Sequence, residues 1–302
     1  MSMMDTGESL KTRIKSHYDG EHIHHGYFLA PTDSKEKAQR QLIELLLFQA
    51  QLPTSHQVPQ ESARFTILDV GCGIGGTSRY LARERGWDVT GITLSDVQVK
   101  MADTISRQAA TSPSTGDDRV LINEGSVRYI QLDAEKLSPY FEPTSFDCVW
   151  ISEALSHLPD KPGFFRNAYN VLRPSTVHQG EGTGRLVIAD WVKSANLTAQ
   201  QHAEDIVPIE KGMLLPPLAS AEEYCRMASQ TGFRLVGEPL DISDKVAKTW
   251  DISLSLLSPS LFALAFSLGT DVINFLKAFQ AMRRGFANGS FRYTVLVFEK
   301  VE

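Results

Sequence analysis

The sequence predicts an α/β protein built on a doubly wound, seven-stranded and mostly parallel sheet. Two observations lead to this prediction. Apolar runs of strand length alternate with helical patterns over residues 65–192. The first run ends in a cluster of glycines that opens a helix. Such alternation is typical of a parallel sheet with helices on both faces, in which the loops after the strands lie along one edge.

The predicted elements follow one another in a regular order. A helix is predicted from Ser34 to Phe48, ahead of the first strand. Period-2 or continuous apolar runs predict strands at 65–70, 89–94, 127–132, 146–151, 186–189, 233–240 and 293–298. Helical periodicity predicts helices at 77–85, 97–108, 164–172 and 220–231.

The chain is predicted to have three parts. Residues 1–60 form an N-terminal helical cap that ends in a proline-containing linker. Residues 61–192 form the cofactor-binding α/β core, and residues 193–302 complete the sheet. An apolar insertion at about 244–287 exceeds what a sheet needs, so we expect it to form a helical lid over a substrate.

Composition and charge exclude several classes of protein. The 302 residues are 42% hydrophobic and 22% charged, which is ordinary for a globular protein. A net charge of -6 without a basic stripe argues against a nucleic-acid partner. The three separate cysteines predict neither disulfides nor a metal site, and they suit the reducing cytoplasm. No feature of the sequence predicts an oligomeric state.

Targeting and membrane segments are not expected either. Residues 1–15 are polar and carry both charge signs, which is typical of neither a signal peptide nor a transit peptide. The most apolar stretch, 252–268, is interrupted by serines and Pro259. It falls short of the unbroken apolar run of about 18 residues that a spanning helix needs, so we expect no stable membrane insertion.

The glycine cluster is the sharpest motif of the sequence. Gly71, Gly73 and Gly76 match the pattern G-x-G-x-x-G between a strand and a helix. Glycines let backbone amide groups approach a ligand closely, because no Cβ intervenes. Asp69 stands at the end of the strand, where it would attract a cation such as the amino group of a methionine moiety and would repel a pyrophosphate.

The same pattern leaves an NAD(P)-dependent oxidoreductase as an alternative. Such an enzyme needs an acid at the tip of the second strand to hold a ribose. Here the tip carries Thr93 and Leu94, and Asp96 stands where it would cap the next helix. A protein that binds the cofactor without catalysis is a further alternative.

Polar residues also follow the third and fourth strands. Asp133, next to Ala134, can accept the exocyclic amine of an adenine, or it can cap the following turn. Residues 152–160 follow the fourth strand and would face the reacting centre at the same edge of the sheet.

These segments together resemble the class I S-adenosylmethionine-dependent methyltransferases. More narrowly, the chain resembles the tocopherol C-methyltransferase-like group, which includes sarcosine/dimethylglycine-type enzymes. The resemblance rests on the glycine loop and on segments 91–95, 146–160, 24–27 and 214–217, and it is strongest over 65–192. It implies a Rossmann-like fold, S-adenosylmethionine as cofactor and S-adenosylhomocysteine as product. It also implies that a tip of the Ile-Thr-Leu-Ser type replaces the second-strand acid.

The residues and the resemblance together assign candidate roles. The candidates for binding the cofactor are Asp69, Gly71, Cys72, Gly73, Thr93, Leu94, Gln98, Asp133, Ala134 and Ser152. The candidates for contacting the substrate are His24, His25, Tyr27, Leu214 and Trp250. The two histidines have no further ligand at helical spacing, so no metal is expected.

His157 and Glu153 are the candidate catalytic residues. In the family, the loop after the fourth strand faces the methyl group, and histidine titrates near neutrality. His157 is therefore the first candidate base, with ordering of the loop as its alternative role. Glu153 would hold a substrate amine or the loop backbone.

The apolar lid predicts a small, largely apolar acceptor. We expect N- or O-methylation of a natural product of specialised metabolism. The alternative is C-methylation of a prenylated phenol-type lipid.

Overall fold

The computed structural model describes residues 22, 24–53, 64–111, 118–175, 184–255 and 270–301. Their nine strands form one sheet in the order β3-β4-β2-β1-β5-β6-β9-β7, with β8 also paired to β9. The strands are β1 Thr66–Val70, β2 Asp88–Thr93, β3 Val120–Ile122, β4 Gly125–Gln131, β5 Cys148–Ser152, β6 Arg185–Lys193, β7 Phe233–Leu235, β8 Leu240–Asp241 and β9 Phe291–Lys300.

The doubly wound α/β fold is confirmed, although the predicted number of seven strands is wrong for the described residues. The five central strands, β4 to β6 in sheet order, are parallel to one another. The short strand β3 adds an antiparallel edge beside β4. The predicted strand 233–240 is divided into β7 and β8, which both pair with β9. Gly237, with φ 72°, and Pro239 interrupt the strand, since proline donates no ladder hydrogen bond.

Helices cover both faces of the sheet. They are α1 Lys35–Gln49, α2 Gly76–Arg85, α3 Asp96–Gln108, α4 Leu137–Tyr140, α5 Lys161–Val171, α6 Ala199–Gln201, α7 Val207–Gly212, α8 Ala221–Thr231, α9 Ser243–Val246, α10 Lys248–Ser255 and α11 Thr270–Asn288. A π-helical turn, His202–Ile206, joins α6 to α7, and 3-10 turns occupy Ala134–Lys136 and Leu155–His157. No helix in the described part of the chain is long and apolar enough to span a membrane.

The hydrophobic core is divided between the two faces because side chains alternate along each strand. On β1, Ile67 belongs to the cluster that includes buried apolar residues of α1 and α2. Leu68 and Val70 belong to the other cluster, which contains Phe164 and Phe165 of α5. All of these side chains are buried. Burial on both faces explains why β1 reads as a continuous apolar run.

The order of the strands opens a crevice at one edge of the sheet. β1 lies between β2 and β5, and both neighbours run parallel to it. The chain leaves β1 toward one side and returns to β5 on the other, so the loops after β1 and β5 diverge at this switch point. The glycine loop follows β1, and residues 153–160 follow β5. We call the carboxyl ends of β1, β2, β4 and β5 the cofactor edge.

Helices α9, α10 and α11 occupy the insertion predicted at 244–287, and we call them the lid; residues 256–269 lie outside the described part. Three contacts attach the lid to the turn that precedes α1. Gly26 N–H donates to Thr249 Oγ1 at 3.1 Å, and Phe28 N–H donates to the carbonyl of Lys245 at 2.9 Å. Lys248 Nζ donates to the carbonyl of Pro31. Parts of the predicted N-terminal cap, 1–21, 23 and 54–60, lie outside the described residues, and the division into three parts stays a prediction.

Candidate active site

The glycine loop has a backbone that most residues cannot adopt. Gly71, Gly73 and Gly75 have φ angles of 73°, 56° and 77°, in the left-handed region that glycine tolerates. A Cβ at Gly71 would lie 2.4 Å from the Cβ of Ala154, in the loop after β5. The loops after β1 and β5 therefore approach each other only because Gly71 has no side chain.

Two adjoining cavities open at the cofactor edge, and they share Gly71 and Glu153. The larger cavity, of about 370 Å³, is lined by the predicted residues Gly71, Gly73, Thr93, Leu94, Gln98, Ala134, Glu153 and His157. The smaller cavity, of about 120 Å³, is lined by the predicted residues His24, Asp69, Gly71, Cys72, Ser152 and Glu153. The structure thus brings together twelve of the seventeen predicted site residues.

The other five predicted residues line neither cavity. Asp133 caps a 3-10 turn by accepting from the N–H of Glu135, which is the second of the two roles considered for it. Leu214 is 88% exposed, and Tyr27 packs half-buried against the core. His25 and Trp250 are buried against each other, with ring centroids 4.7 Å apart.

The tip of β2 presents neutral polar groups to the larger cavity. Thr93 Oγ1 donates to Gln98 Oε1 at 2.6 Å, and both residues line the cavity. Ser95 caps α3, and Asp96 forms an exposed pair with Lys100 at 2.6 Å. Asp96 therefore does not supply the ribose-binding acid that a dinucleotide enzyme uses. A hydroxyl and an amide at this position fit an adenosine without that acid.

Asp69 is one of the two carboxylates that line the smaller cavity. Its carboxylate is buried and accepts a hydrogen bond from Ser78 Oγ at 2.6 Å. Burial raises the pKa of Asp69 to about 6, against the opposing effect of the Ser78 hydrogen bond. The group is still mostly ionised at neutral pH, and a cation beside it would be favourable. The cavity fits the cationic amino-acid end of S-adenosylmethionine.

Glu153 is held by groups from distant parts of the chain. Its backbone has a left-handed φ of 55°, which costs about 1–3 kcal/mol for a residue other than glycine. The carboxylate accepts from His25 N–H at 2.6 Å and from the Tyr293 hydroxyl at 2.8 Å, and it lies 2.9 Å from His25 Nδ1. Burial favours the neutral acid, but the interactions with His25 outweigh it and lower the pKa of Glu153. Glu153 is thus a fixed anion, and a weak proton acceptor.

His157 lines the larger cavity on a loop that is fixed from two sides. Asp190 accepts from the Ser156 N–H at 2.9 Å, and Lys161 Nζ donates to the carbonyl of Leu158 at 3.0 Å. Burial, followed by the charge of Lys161, lowers the pKa of His157, although Glu153 opposes the shift. The imidazole is therefore neutral at pH 7 and able to accept a proton.

Three residues of this region are absent from the sequence-based candidates. Tyr293 lies on β9, 140 positions from its partner Glu153, and no local motif marks it. Asp190 is an acid within the buried strand β6, a pattern that could have identified it. His22 lines the smaller cavity, two positions before His24. Within the described ranges, no group of three or more potential metal ligands occurs.

Comparisons with known proteins agree with this geometry. A methyltransferase domain family matches residues 68–178. The tocopherol O-methyltransferase of Arabidopsis thaliana is 30% identical, over 93% of this chain and 77% of that protein. The 2-methyl-6-phytyl-1,4-hydroquinone methyltransferase of Synechocystis sp. is 35% identical, over 59% of this chain and 47% of that protein.

A solved structure shares the fold over almost the whole chain. It is named as a sarcosine dimethylglycine methyltransferase of Galdieria sulphuraria, with a TM-score of 0.73 and 21% identity over 97% of this chain and 98% of that one. The sequence relatives match the same region that carries the glycine loop and the cofactor edge. The chain therefore belongs to the class I S-adenosylmethionine-dependent methyltransferases, in the group that includes the tocopherol methyltransferases.

Proposed function

We propose that this methyltransferase acts on an oxygen or nitrogen of a small, largely apolar natural product of specialised metabolism. The observation that carries the proposal is that one cavity is lined by both a neutral imidazole, His157, and a fixed anion, Glu153. A hydroxyl or amine acceptor loses a proton when it is methylated, and a neutral imidazole can take that proton. The A. thaliana relative is named as an O-methyltransferase, which supports the same choice.

The residues at the cofactor edge have distinct parts in this proposal. Bound S-adenosylmethionine supplies an electrophilic methyl group. Asp69 and the glycine loop hold the cofactor, and the lid excludes water from the acceptor. Positioning of two reactants can contribute about 7–11 kcal/mol to lowering a barrier. Proton transfer to His157 would contribute a further factor of about 10²–10⁴ in rate.

An apolar acceptor is supported by the lid and by the relatives. Trp250 and Phe279 of the lid are buried, with ring centroids 5.1 Å apart. Val207 and Leu214 also expose apolar side chains. The Synechocystis relative is named for a phytyl hydroquinone, which favours C-methylation of a prenylated phenol as the second candidate function.

A product analysis separates these two functions. The full chain is incubated with methyl-labelled S-adenosylmethionine and a panel of phenols, apolar amines and prenylated hydroquinones, and mass spectrometry locates the new methyl group. We expect O- or N-methyl products, and His157→Gln should reduce their rate at saturating cofactor by about 10²–10⁴. Ring-methylated hydroquinones alone would establish the second candidate and overturn the proposal of O- or N-methylation.

We also propose a cytoplasmic location. Cys72, Cys148 and Cys225 are free, which suits a reducing compartment. The A. thaliana relative is named as chloroplastic. Imaging of the full-length chain in its native cell would decide between the cytoplasm and an organelle.

A further inference from the structure

The smaller cavity is lined by a buried histidine, His24, that has no part in the proposed proton transfer or in the packing of the lid. His24 is 9% exposed, and it lines the cavity together with Asp69 and Glu153. Its Nδ1 lies 2.8 Å from the carbonyl of His25. A carbonyl oxygen can only accept, so Nδ1 carries the proton of the neutral ring and Nε2 carries a lone pair.

The Nε2 atom of His24 has no hydrogen-bond partner among the described residues. Buried polar atoms in native proteins are almost always paired, so an unpaired one on a residue that lines a cavity points to a ligand. Helix α1 fixes the backbone on which the ring is carried. Gln39 of α1 is completely buried, and its Nε2 donates to the carbonyls of His24 at 2.6 Å and of His22 at 3.0 Å.

The charges around His24 indicate which ligand group would fit. Burial lowers the pKa of His24 despite the opposing effect of Glu153, and burial lowers the pKa of His22 to about 2. Both rings are therefore uncharged acceptors at neutral pH. The described lining residues include two carboxylates, Asp69 and Glu153, and no lysine or arginine. Such a cavity favours a cation that also donates hydrogen bonds.

We propose that His24 Nε2 accepts a hydrogen bond from the α-ammonium group at the methionine end of the cofactor, and that His24 and Asp69 together recognise this group. The larger cavity, with Thr93 and Gln98 at the tip of β2, takes the adenosine. His24, a candidate substrate contact in the sequence, thus becomes a cofactor-binding residue. The proposal rests on the cofactor of the family and is independent of the acceptor.

The test compares ligands that differ in the amino-acid end alone. S-adenosylhomocysteine carries the ammonium group, whereas 5′-methylthioadenosine keeps the adenosine and the thioether without it. Affinities for both are measured by calorimetric titration of the full chain. We expect His24→Ala to weaken binding of S-adenosylhomocysteine by about tenfold or more, as for a lost hydrogen bond to a charged group, and to leave 5′-methylthioadenosine within about twofold.

Two further variants control for indirect effects. His24→Gln retains a side-chain acceptor and should recover part of the lost affinity. His202→Ala changes an exposed histidine on the π-helical turn, and it should bind both ligands normally. An equal loss of affinity for both ligands in His24→Ala would assign a structural role to His24 and overturn the proposal, as would unchanged affinity for S-adenosylhomocysteine.

The same titrations separate this proposal from the broader assignments. If the unaltered chain bound S-adenosylhomocysteine and His24→Ala bound it equally well, the role of His24 would be wrong while the cofactor stood. If the unaltered chain bound neither ligand, the cofactor itself would be wrong. The outcome of the acceptor panel affects neither result.

Discussion

The cofactor edge and the lid are built in different ways. At the cofactor edge the backbone decides which residues are possible, since Gly71 has a φ of 73° and no room for a Cβ beside Ala154. In the lid, the volume of the side chains decides which residues are possible. The Trp250 ring lies 6.1 Å from Trp191 and 5.1 Å from Phe279, and aromatic packing of this kind tolerates volume-conserving substitutions. The side chains of the lid can therefore change while the backbone of the cofactor edge stays the same.

The largest effect is expected at the glycine loop. Gly71→Ala would place the new methyl carbon only 2.4 Å from the Cβ of Ala154, and it would put an alanine in a left-handed backbone conformation. The loops after β1 and β5 must separate, so we expect binding of S-adenosylhomocysteine to fall by about 100-fold or more, the scale of several lost interactions. Gly237→Ala is the matched control, because Gly237 has a φ of 72° and nothing within 4 Å of its would-be Cβ. Equal losses in the two variants would mean that backbone strain, and not the contact between loops, matters.

A smaller loss is expected when Asp69, one of the two carboxylates of the smaller cavity, is neutralised. Asp69→Asn keeps the shape of the side chain and its position beside Ser78 but no longer attracts an ammonium group. We expect affinity for S-adenosylhomocysteine to fall by about 10- to 100-fold, measured by calorimetry. Asp96→Asn, an exposed carboxylate at the start of α3, is the control and should bind normally. Unchanged affinity in Asp69→Asn would remove the carboxylate from cofactor recognition.

The same carboxylate predicts a pH dependence of binding. Burial raises the pKa of Asp69 to about 6, so the folded protein binds more protons than the unfolded chain between about pH 4 and 6. The contribution of Asp69 to stability therefore decreases as the pH rises through this window. Its contribution to binding a cation increases over the same window. We expect affinity for S-adenosylhomocysteine to be about tenfold higher at pH 8 than at pH 5, with no such slope in Asp69→Asn; a slope that persists in this variant would contradict the assignment.

The smallest effect on cofactor affinity is expected in the lid. Trp250 is 6% exposed and packs against His25 and Phe279. Trp250→Ala should lower the free energy of unfolding by about 3–5 kcal/mol, measured by urea denaturation. Affinity for S-adenosylhomocysteine should stay within about twofold, whereas Trp250→Phe should recover most of the stability. A large loss of cofactor affinity in a folded Trp250→Ala protein would show that the lid and the cofactor edge are not independent.

Local features of the site were predictable from the sequence. The strand, the glycine loop and the following helix are adjacent in the chain, and Asp69, Gly71 and Gly73 line the cavities. The same holds for Thr93 and Gln98, which are positioned by the end of β2 and the first turn of α3. Short-range rules of turn and cap geometry suffice for such positions.

Features that depend on distant pairings were not predictable. The contact between Tyr293 and Glu153 requires β9 to insert between β6 and β7, a pairing that no local pattern specifies. Trp250 and His25 were predicted as substrate contacts, but they pack against each other, because the turn before α1 meets the lid only in the folded chain. Leu214 was predicted as a substrate contact within the segment 214–217, and its side chain is exposed to solvent.

The most direct test of the central claim is a calorimetric titration of the purified full chain with S-adenosylmethionine, S-adenosylhomocysteine and NAD(P)H in turn. Asp69 in a buried cavity and neutral groups at the tip of β2 predict micromolar binding of the first two ligands, weakened in Asp69→Asn, and no binding of NAD(P)H. Binding of NAD(P)H alone would contradict the account, because the glycine loop would then hold a pyrophosphate.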